Sequence, residues 1–533
     1  MFKPAIRLLL SVALCASLPL GCTKKSGPGG AAILRYALQN RPTSLDPHTV
    51  EDGDTIDMIQ QIFEGLVAWN EKSETVPNIA EKWDISPDGT VYTFHLKAGV
   101  KFHPPSGREV TAHDFVYSFT RALSPSTKSP TAAAYMDDIV GAKDLLEGRA
   151  RTLKGVEAVD TRTFKVTIDR RKPYFLGKLT YPTAFVVCRE EVEKNGGRID
   201  EKNMVGTGPF KLKEYRAGYS VSMSANTEYH RGRPLLDGIE RPVLNDSNTR
   251  QTRFETNTID YTDVARADLP RVQQDARLSP LIKQFPRAAI WYLGLNMDAY
   301  PPFRDKRVRQ AFAHAINRRE IVRLVMRDTA ETAKAIVPPG VPGHNPSIRE
   351  MEYNPKLAQE LLAKAGYPGG RGLPRFTITF RQGYKHIEDT SVAIRNDLKQ
   401  NLGVECDIQA VEWAQFLDMR RKKVMPCFHM RWMADYLDPQ NFLTFLLKSD
   451  APENYTGYKN SAVDKLLTEA DSEADPGKRI KMYQEAEQII IEDAAWVPIY
   501  YQRDVELVSS AVSGLRDCLM GHLPHLTTRI NRR

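Results

Sequence analysis

Short apolar runs alternate with amphipathic stretches along most of this chain, and their two periods separate strands from helices. Residues 33–38 read as a strand, after which Ile56, Ile59, Phe63, Leu66 and Val67 recur at helical spacing. Over 91–96 the period is two: Tyr92, Phe94 and Leu96 share one face, Thr93 and His95 the other. The turn before it, Ser86-Pro87-Asp88-Gly89, joins a residue that fixes φ to one that tolerates a positive φ. Thr111 stands as N-cap to a helix carrying Phe115, Val116 and Phe119, and strands follow over 157–168. Further on, 291–296 is a strand leading into a helix with Val308, Phe312, Ala315 and Ile316. Asn354, Pro355 and Gly366 mark the cap, first position and stop of another helix, lined by Leu357, Leu361 and Leu362. Strands over 376–380, 404–411 and 427–432 then alternate with helices over 390–401 and 413–422. A helix over 479–491 and a strand over 496–501 close the pattern. Strands separated by helices imply parallel pairing, so the fold class is α/β.

One stretch concentrates chemistry. Residues 425–433 are largely apolar and aromatic, as in a buried strand, and end in Ala434-Asp435-Tyr436. Asp438-Pro439 then offers a helix start, Asp as N-cap and Pro at the first helical position. Asp435 therefore falls at the carboxyl end of a strand, where open α/β sheets place their ligand crevices. An acid there, flanked by Trp432 and Tyr436, suits a ligand with a cationic end and an organic body. The plainer alternative is a turn aspartate that bonds its own backbone. Val205-Gly206-Thr207-Gly208-Pro209-Phe210 lacks the Lys-Ser/Thr and the glycine spacing of a phosphate loop and reads as a tight connection. The basic residues Lys306, Arg307, Arg309, Arg318 and Arg319 read as a solvated helix face.

At 533 residues the chain exceeds one core and should divide into two or three domains. Its 41% hydrophobic and 26% charged residues are ordinary for a soluble globular protein. The formal net charge is +8, but bases and acids are interspersed, so no nucleic-acid partner is expected. Residues 1–21 read as a signal peptide, with Lys3 and Arg7 ahead of an apolar run over 8–20 that is too short to span a bilayer. The run ends at Leu20-Gly21-Cys22 and resembles a bacterial lipoprotein signal, which would lipidate Cys22; Pro19 stands where such signals usually carry Leu. Residues 23–30 form a polar tether. Cys188, Cys406, Cys427 and Cys518 make no C-x-x-C pair, so no metal site is expected. Cys406 and Cys427 fall in neighbouring expected strands, as a disulfide or as buried thiols. H-E-x-x-H and G-x-S-x-G are absent from the sequence, and no catalytic residue or cofactor is assigned.

Several blocks together resemble the family 5 extracellular solute-binding proteins of ABC importers, the peptide- and nickel-binding group. They are Ser44-Leu45-Asp46-Pro47 with Phe63-Glu64-Gly65-Leu66, Pro87-Asp88-Gly89 with Val110-Thr111-Ala112-His113-Asp114-Phe115-Val116, and Gly206-Thr207-Gly208-Pro209-Phe210. Phe303-Arg304-Asp305-Lys306-Arg307-Val308-Arg309-Gln310-Ala311, Trp432-Met433-Ala434-Asp435-Tyr436 and Val497-Pro498-Ile499-Tyr500 complete the match. Within the family, the stretch from Trp413 to Asp435 looks closest to oligopeptide-binding proteins.

The resemblance implies a periplasmic-binding-protein-like (type II) fold: two lobes joined by a two-crossing hinge near Ala289 and Tyr500, with an extra subdomain in the first lobe. The division is a signal peptide over 1–21, an anchored linker over 22–32 and the first lobe over 33–75 and 181–288. The inserted subdomain covers 76–180, the second lobe 289–499, and 500–533 returns to the first. It further implies that Asp435 takes a peptide α-amino group, with Glu51 near the same end. Arg431 and Met433 would offer main-chain groups to an extended peptide, and Trp413 and Trp432 apolar walls, unless these simply pack in the core. For the peptide carboxylate it points to Arg420, with His429 in place of a second family arginine and His386 near another contact. The expected protein is a monomeric receptor in the periplasm or on the outer face of the envelope, held by lipidated Cys22 and serving membrane permease subunits. Alternatives are a family 5 binder of a metal chelate or sugar, a peptide-sensing receptor and an exported hydrolase, the last without a supporting motif.

Overall fold

The computed structural model describes residues 31–532. The expected signal peptide, Cys22 and the expected tether lie outside the described residues. Three sheets organise the rest. The first pairs Ile33–Arg35, Gly238–Pro242, Ser220–Ala225 and Phe210–Arg216 in that order over a core that includes Leu34, Phe63, Phe210 and Ile239. A second, antiparallel sheet of Ala80–Ile85, Val91–Leu96, Thr163–Thr167 and Val156–Ala158 packs Phe94 and Phe164 against Phe115 and Phe119. Those two phenylalanines sit on helix Ala112–Leu123, which Thr111 and Asp114 cap reciprocally.

The third sheet has seven strands and carries the cavity described below. Its order is Tyr261–Asp263, Trp496–Val508, Ile282–Leu295, Cys427–Met433, Phe376–Arg381 and Cys406–Val411, with Glu331–Thr332 added against Trp496–Val508. Parallel pairing holds where helices intervene: Phe376–Arg381 runs parallel to Cys406–Val411 and to Cys427–Met433. The two longest strands are antiparallel to their neighbours instead, and both are longer than their apolar runs. Ile282–Leu295 and Trp496–Val508 pair through Ile282↔Leu507 and Gly294↔Trp496, but the ladder breaks between Pro286 and Ile290. Proline cannot donate a ladder hydrogen bond. At the break, Ala288 N–H donates to Leu519 O at 2.9 Å, so the C-terminal segment fills the gap.

Three local expectations change. The basic residues do not form one solvated helix face: they fall on two helices, Lys306–Ala315 and Arg318–Leu324, and Arg309 and Arg318 are buried, donating to Phe303 O at 2.6 Å and Ala333 O at 2.8 Å. The helix expected through Val67 stops at Ile59, capped at its start by Asp52, and Val67 belongs to strand Val67–Trp69. The residues between are apolar because they are buried in a turn: Gly208 N–H bonds Ile62 O at 2.8 Å and Phe210 N–H bonds Gln61 O at 2.9 Å. Cys406 and Cys427 are both buried and free, and strand Phe376–Arg381 lies between their strands. Helix Pro355–Lys364 matches its signals, with the Asn354 side chain accepting from Leu357 N–H and Gly366 at φ +96°.

Candidate functional site

A cavity of about 490 Å³ opens between the seven-stranded sheet and the N-terminal elements. All nine candidate ligand-binding residues lie along its wall. Strand Cys427–Met433 supplies four of them, His429, Arg431, Trp432 and Met433. Trp432 sends its indole N–H to Asn441 Oδ1 at 3.2 Å and sets its ring 5.6 Å from Phe445. Arg431 lies opposite Trp291 in the register, and both donate to Gln502 Oε1, at 3.3 and 2.9 Å. Met433 is half-buried and lies opposite Ala289.

Asp435 follows two residues after that strand. Its backbone N–H donates to Asn441 Oδ1 at 3.0 Å, and its carboxylate accepts the Tyr135 hydroxyl at 2.5 Å. Tyr135 is itself stacked on Tyr181, with ring centroids 3.8 Å apart. No basic side chain among the described residues forms an ion pair with Asp435. Burial therefore dominates, lifting its carboxyl to about 7 despite the hydrogen bonds from Tyr135 and Asn441.

The remaining candidates are already engaged. Arg420 pairs with Glu453 at 3.2 Å and lies over the Tyr455 ring, so its charge is balanced within the protein. Glu51 meets Arg421, the next residue, at 3.1 Å. Trp413 opens helix Trp413–Arg421, stacks on Phe416 and has the Arg381 guanidinium 4.5 Å above its ring. His386 stands edge-on to Trp291 and Tyr384, and His429 meets Ser391 Oγ at 3.2 Å. Burial pushes both imidazoles down to about 3, for His386 with help from Arg266, so both are neutral at pH 7.

Besides Arg431, positive charge at the cavity wall comes from residues that sequence reasoning passed over, Arg266 and Arg381 among them. Arg381 ends strand Phe376–Arg381, and Arg266 follows Tyr261–Asp263. Arg381 carried a usable signal, since it closes a parallel strand, where α/β crevices form. Tyr135 carried none, because only the fold brings it across the 300 residues to Asp435.

Contacts among the described residues bridge the cavity, including Tyr135 to Asp435, Arg421 to Glu51, and the Tyr384 hydroxyl to Gln39 Oε1. Gly177 also lies so close to Tyr436 that a Cβ added there would be 2.8 Å from Tyr436 Cβ. The arrangement is closed.

Comparison with known proteins agrees in sequence and in shape. A model of the bacterial extracellular solute-binding proteins, family 5, matches residues 74–454. A probable deoxycholate-binding periplasmic protein of Escherichia coli is 32% identical over 491 residues, which is 90% of each chain. The periplasmic oligopeptide-binding protein OppA of Salmonella typhimurium is 31% identical, over 88% of this chain and 87% of that one. The solved murein tripeptide binding protein MppA of Escherichia coli is 28% identical and superposes with a TM-score of 0.86, covering 95% of this chain and 99% of its own. An unliganded open form of MppA superposes less well, at 0.72, in keeping with the contacts across the cavity here. The fold is of the two-lobed, periplasmic-binding-protein-like type II class, and the chain belongs to the bacterial extracellular solute-binding proteins of family 5.

Proposed function

We propose that this protein is the substrate-binding component of an ABC importer and captures short peptides between its two lobes, Asp435 pairing with the ligand α-amino group. One observation carries the reading: Asp435 is a desolvated carboxylate, raised to about 7, that faces the cavity with no basic partner among the described residues. An ammonium is the charge it lacks, and a charge-assisted hydrogen bond in a low-dielectric site is among the stronger polar contacts available. Trp432 and the stacked Tyr135–Tyr181 pair suit the organic part of a peptide. The relationship to OppA supports the same ligand class. The lobes would hinge near Ala289 and Tyr500, beside the break in the long ladder. Membrane permease subunits would receive the closed form, with the receptor tethered outside the membrane through Cys22. No catalytic step is proposed.

The test is native mass spectrometry of the mature protein purified without denaturation. Masses of bound peptides of two to six residues support the reading. A non-peptide solute in their place, or no thermal shift with a diverse peptide mixture, ends it. The relationship to a probable deoxycholate-binding protein favours one second reading, a non-peptide carboxylic acid. Such a ligand has no ammonium for Asp435, so Asp435→Asn would not weaken its binding.

A further inference from the structure

Beside the cavity, and lining no part of it, the Tyr174 ring stacks on the Tyr436 ring, with centroids 6.1 Å apart and planes at 14°. Both tyrosines are buried. Two cations flank the Tyr174 ring: Lys178 Nζ and Arg479 Cζ each lie 5.9 Å from its centroid. Gly177 lets the backbone come up against Tyr436, where a Cβ would be 2.8 Å from Tyr436 Cβ.

The two halves of this contact come from separate parts of the fold. Tyr174 precedes helix Phe175–Lys178, which is fastened to the antiparallel sheet: the Phe175 ring lies 4.9 Å from the Tyr92 ring, and the Tyr92 hydroxyl donates to Lys172 O at 3.4 Å. Tyr436 follows strand Cys427–Met433 of the seven-stranded sheet, and Arg479 lies on helix Pro476–Glu492.

Charge is settled within each half. Asp138 accepts from both Lys172 and Lys178. Arg479 gives two arms to Asp438, at 2.6 and 2.8 Å, and a further bond to the Tyr483 hydroxyl at 3.2 Å. Among the described residues no ion pair joins one half to the other. Parting the rings therefore strands no buried charge, which is what makes a buried ion pair costly to break. It gives up the aromatic stack and the Arg479 contact with the Tyr174 face. A contact of this kind opens and closes reversibly.

The contacts across the cavity differ in one respect. Tyr135 to Asp435 and Tyr384 to Gln39 join residues of the cavity wall, so a bound ligand changes their surroundings. Tyr174, Tyr436 and Arg479 do not reach the wall, and their contribution to closure is the same for every ligand.

We infer that Tyr174 and Tyr436, with Arg479, form a latch that stabilises the closed state independently of what the cavity holds. This rests on the closure of two lobes proposed above, and not on the ligand being a peptide. Asp435 and Tyr436 are adjacent in the chain, so the residue that meets the ligand and the residue that meets the latch move together. A closed state stabilised in this way is populated before any ligand arrives, and apparent affinity for every ligand rises with that population.

The test is single-molecule fluorescence energy transfer across the lobes of the ligand-free mature protein. The wild type should show a closed fraction, and Tyr174→Ala should lower the closed-to-open ratio about tenfold. Tyr174→Phe, which keeps the ring, should retain it. Calorimetry should show Tyr174→Ala weakening trialanine and trilysine by a common factor. No closed fraction in the wild type, or a ratio that Tyr174→Ala leaves unchanged, overturns the latch. So does a loss confined to one peptide, which would place Tyr174 in ligand recognition. If neither peptide binds, the peptide reading falls while the energy-transfer result still decides the latch. Gly177→Ala perturbs the same contact with a single methyl and carries the test if Tyr174→Ala does not fold.

Discussion

Replacing Asp435 with Asn tests the site most directly, because it keeps the shape and the Tyr135 contact while removing the charge. Leaving a ligand ammonium without its carboxylate in a closed cavity costs about 2–5 kcal/mol, or roughly 30- to several-thousand-fold in Kd. The raised carboxyl adds a second signature. In the empty closed cavity Asp435 titrates at about 7, against an ordinary 3.8, because burial disfavours its ionised form. A bound ammonium stabilises that form and lowers the value again. Affinity for a free-amine peptide is therefore full above pH 7. It falls as the pH drops through 7, by up to about 1.4 kcal/mol per unit, until the carboxyl in the complex also protonates. The ligand amine, with an ordinary pKa of about 7.7–8.0, loses its own charge above pH 8 and bounds the other side. Calorimetry at pH 7.5 and 5.5 should thus show the wild type weakening by up to about 30-fold, with Asp435→Asn weaker and nearly flat. N-acetylated peptide should bind the wild type as poorly as free peptide binds Asp435→Asn, and the two changes together should cost little more than either alone. The reasoning fails if Asp435→Asn binds free peptide within threefold of wild type, or if N-acetylation leaves the wild-type Kd unchanged.

Tyr135→Phe removes the hydroxyl that helps hold the Asp435 carboxyl down, so the acid limb of the binding profile should move to higher pH. The lost hydrogen bond should also weaken peptide affinity by about 1 kcal/mol, both effects being read by calorimetry across pH. Gly177→Ala places a methyl 2.8 Å from Tyr436 Cβ and should obstruct closure, at about 1–3 kcal/mol of binding free energy. Small-angle scattering should then show a less compact liganded state with the melting temperature of the empty protein unchanged; a parallel fall in that temperature would assign the contact to folding instead. Gly206→Ala would put a Cβ 2.0 Å from Ile62 O, so denaturant melts should show a loss of about 3 kcal/mol or more. Unchanged stability there would refute a purely architectural role for the Gly206-Thr207-Gly208 turn.

Much of the architecture was legible locally. The Asn354, Pro355 and Gly366 signals, the alternation over Val91–Leu96 and the capping residue Thr111 act within a turn or two of chain, and each appears where its chemistry predicts. The same holds for the placement of Asp435 beyond strand Cys427–Met433, since an apolar run followed by Asp-Pro marks a strand end and a helix start. Apolar periodicity misled where burial came from a turn, as at Ile62 and Phe63. It fell short where polar residues continue a strand, as at Arg503 and Asp504 in Trp496–Val508. In those places the backbone partner, and not the side-chain pattern, sets the conformation.

Charge balance belongs to tertiary structure alone. Nothing near Arg420 in the chain marks Glu453 as its partner, and nothing near Asp435 marks Tyr135. Arg431 and Arg420 look alike as letters, yet one meets a carboxylate and the other an amide oxygen. Local order follows from torsional preference and hydrophobic spacing, which operate over a few residues. The electrostatic character of the cavity depends on which distant groups desolvate one another, because Coulomb energy and burial are set by distance in space.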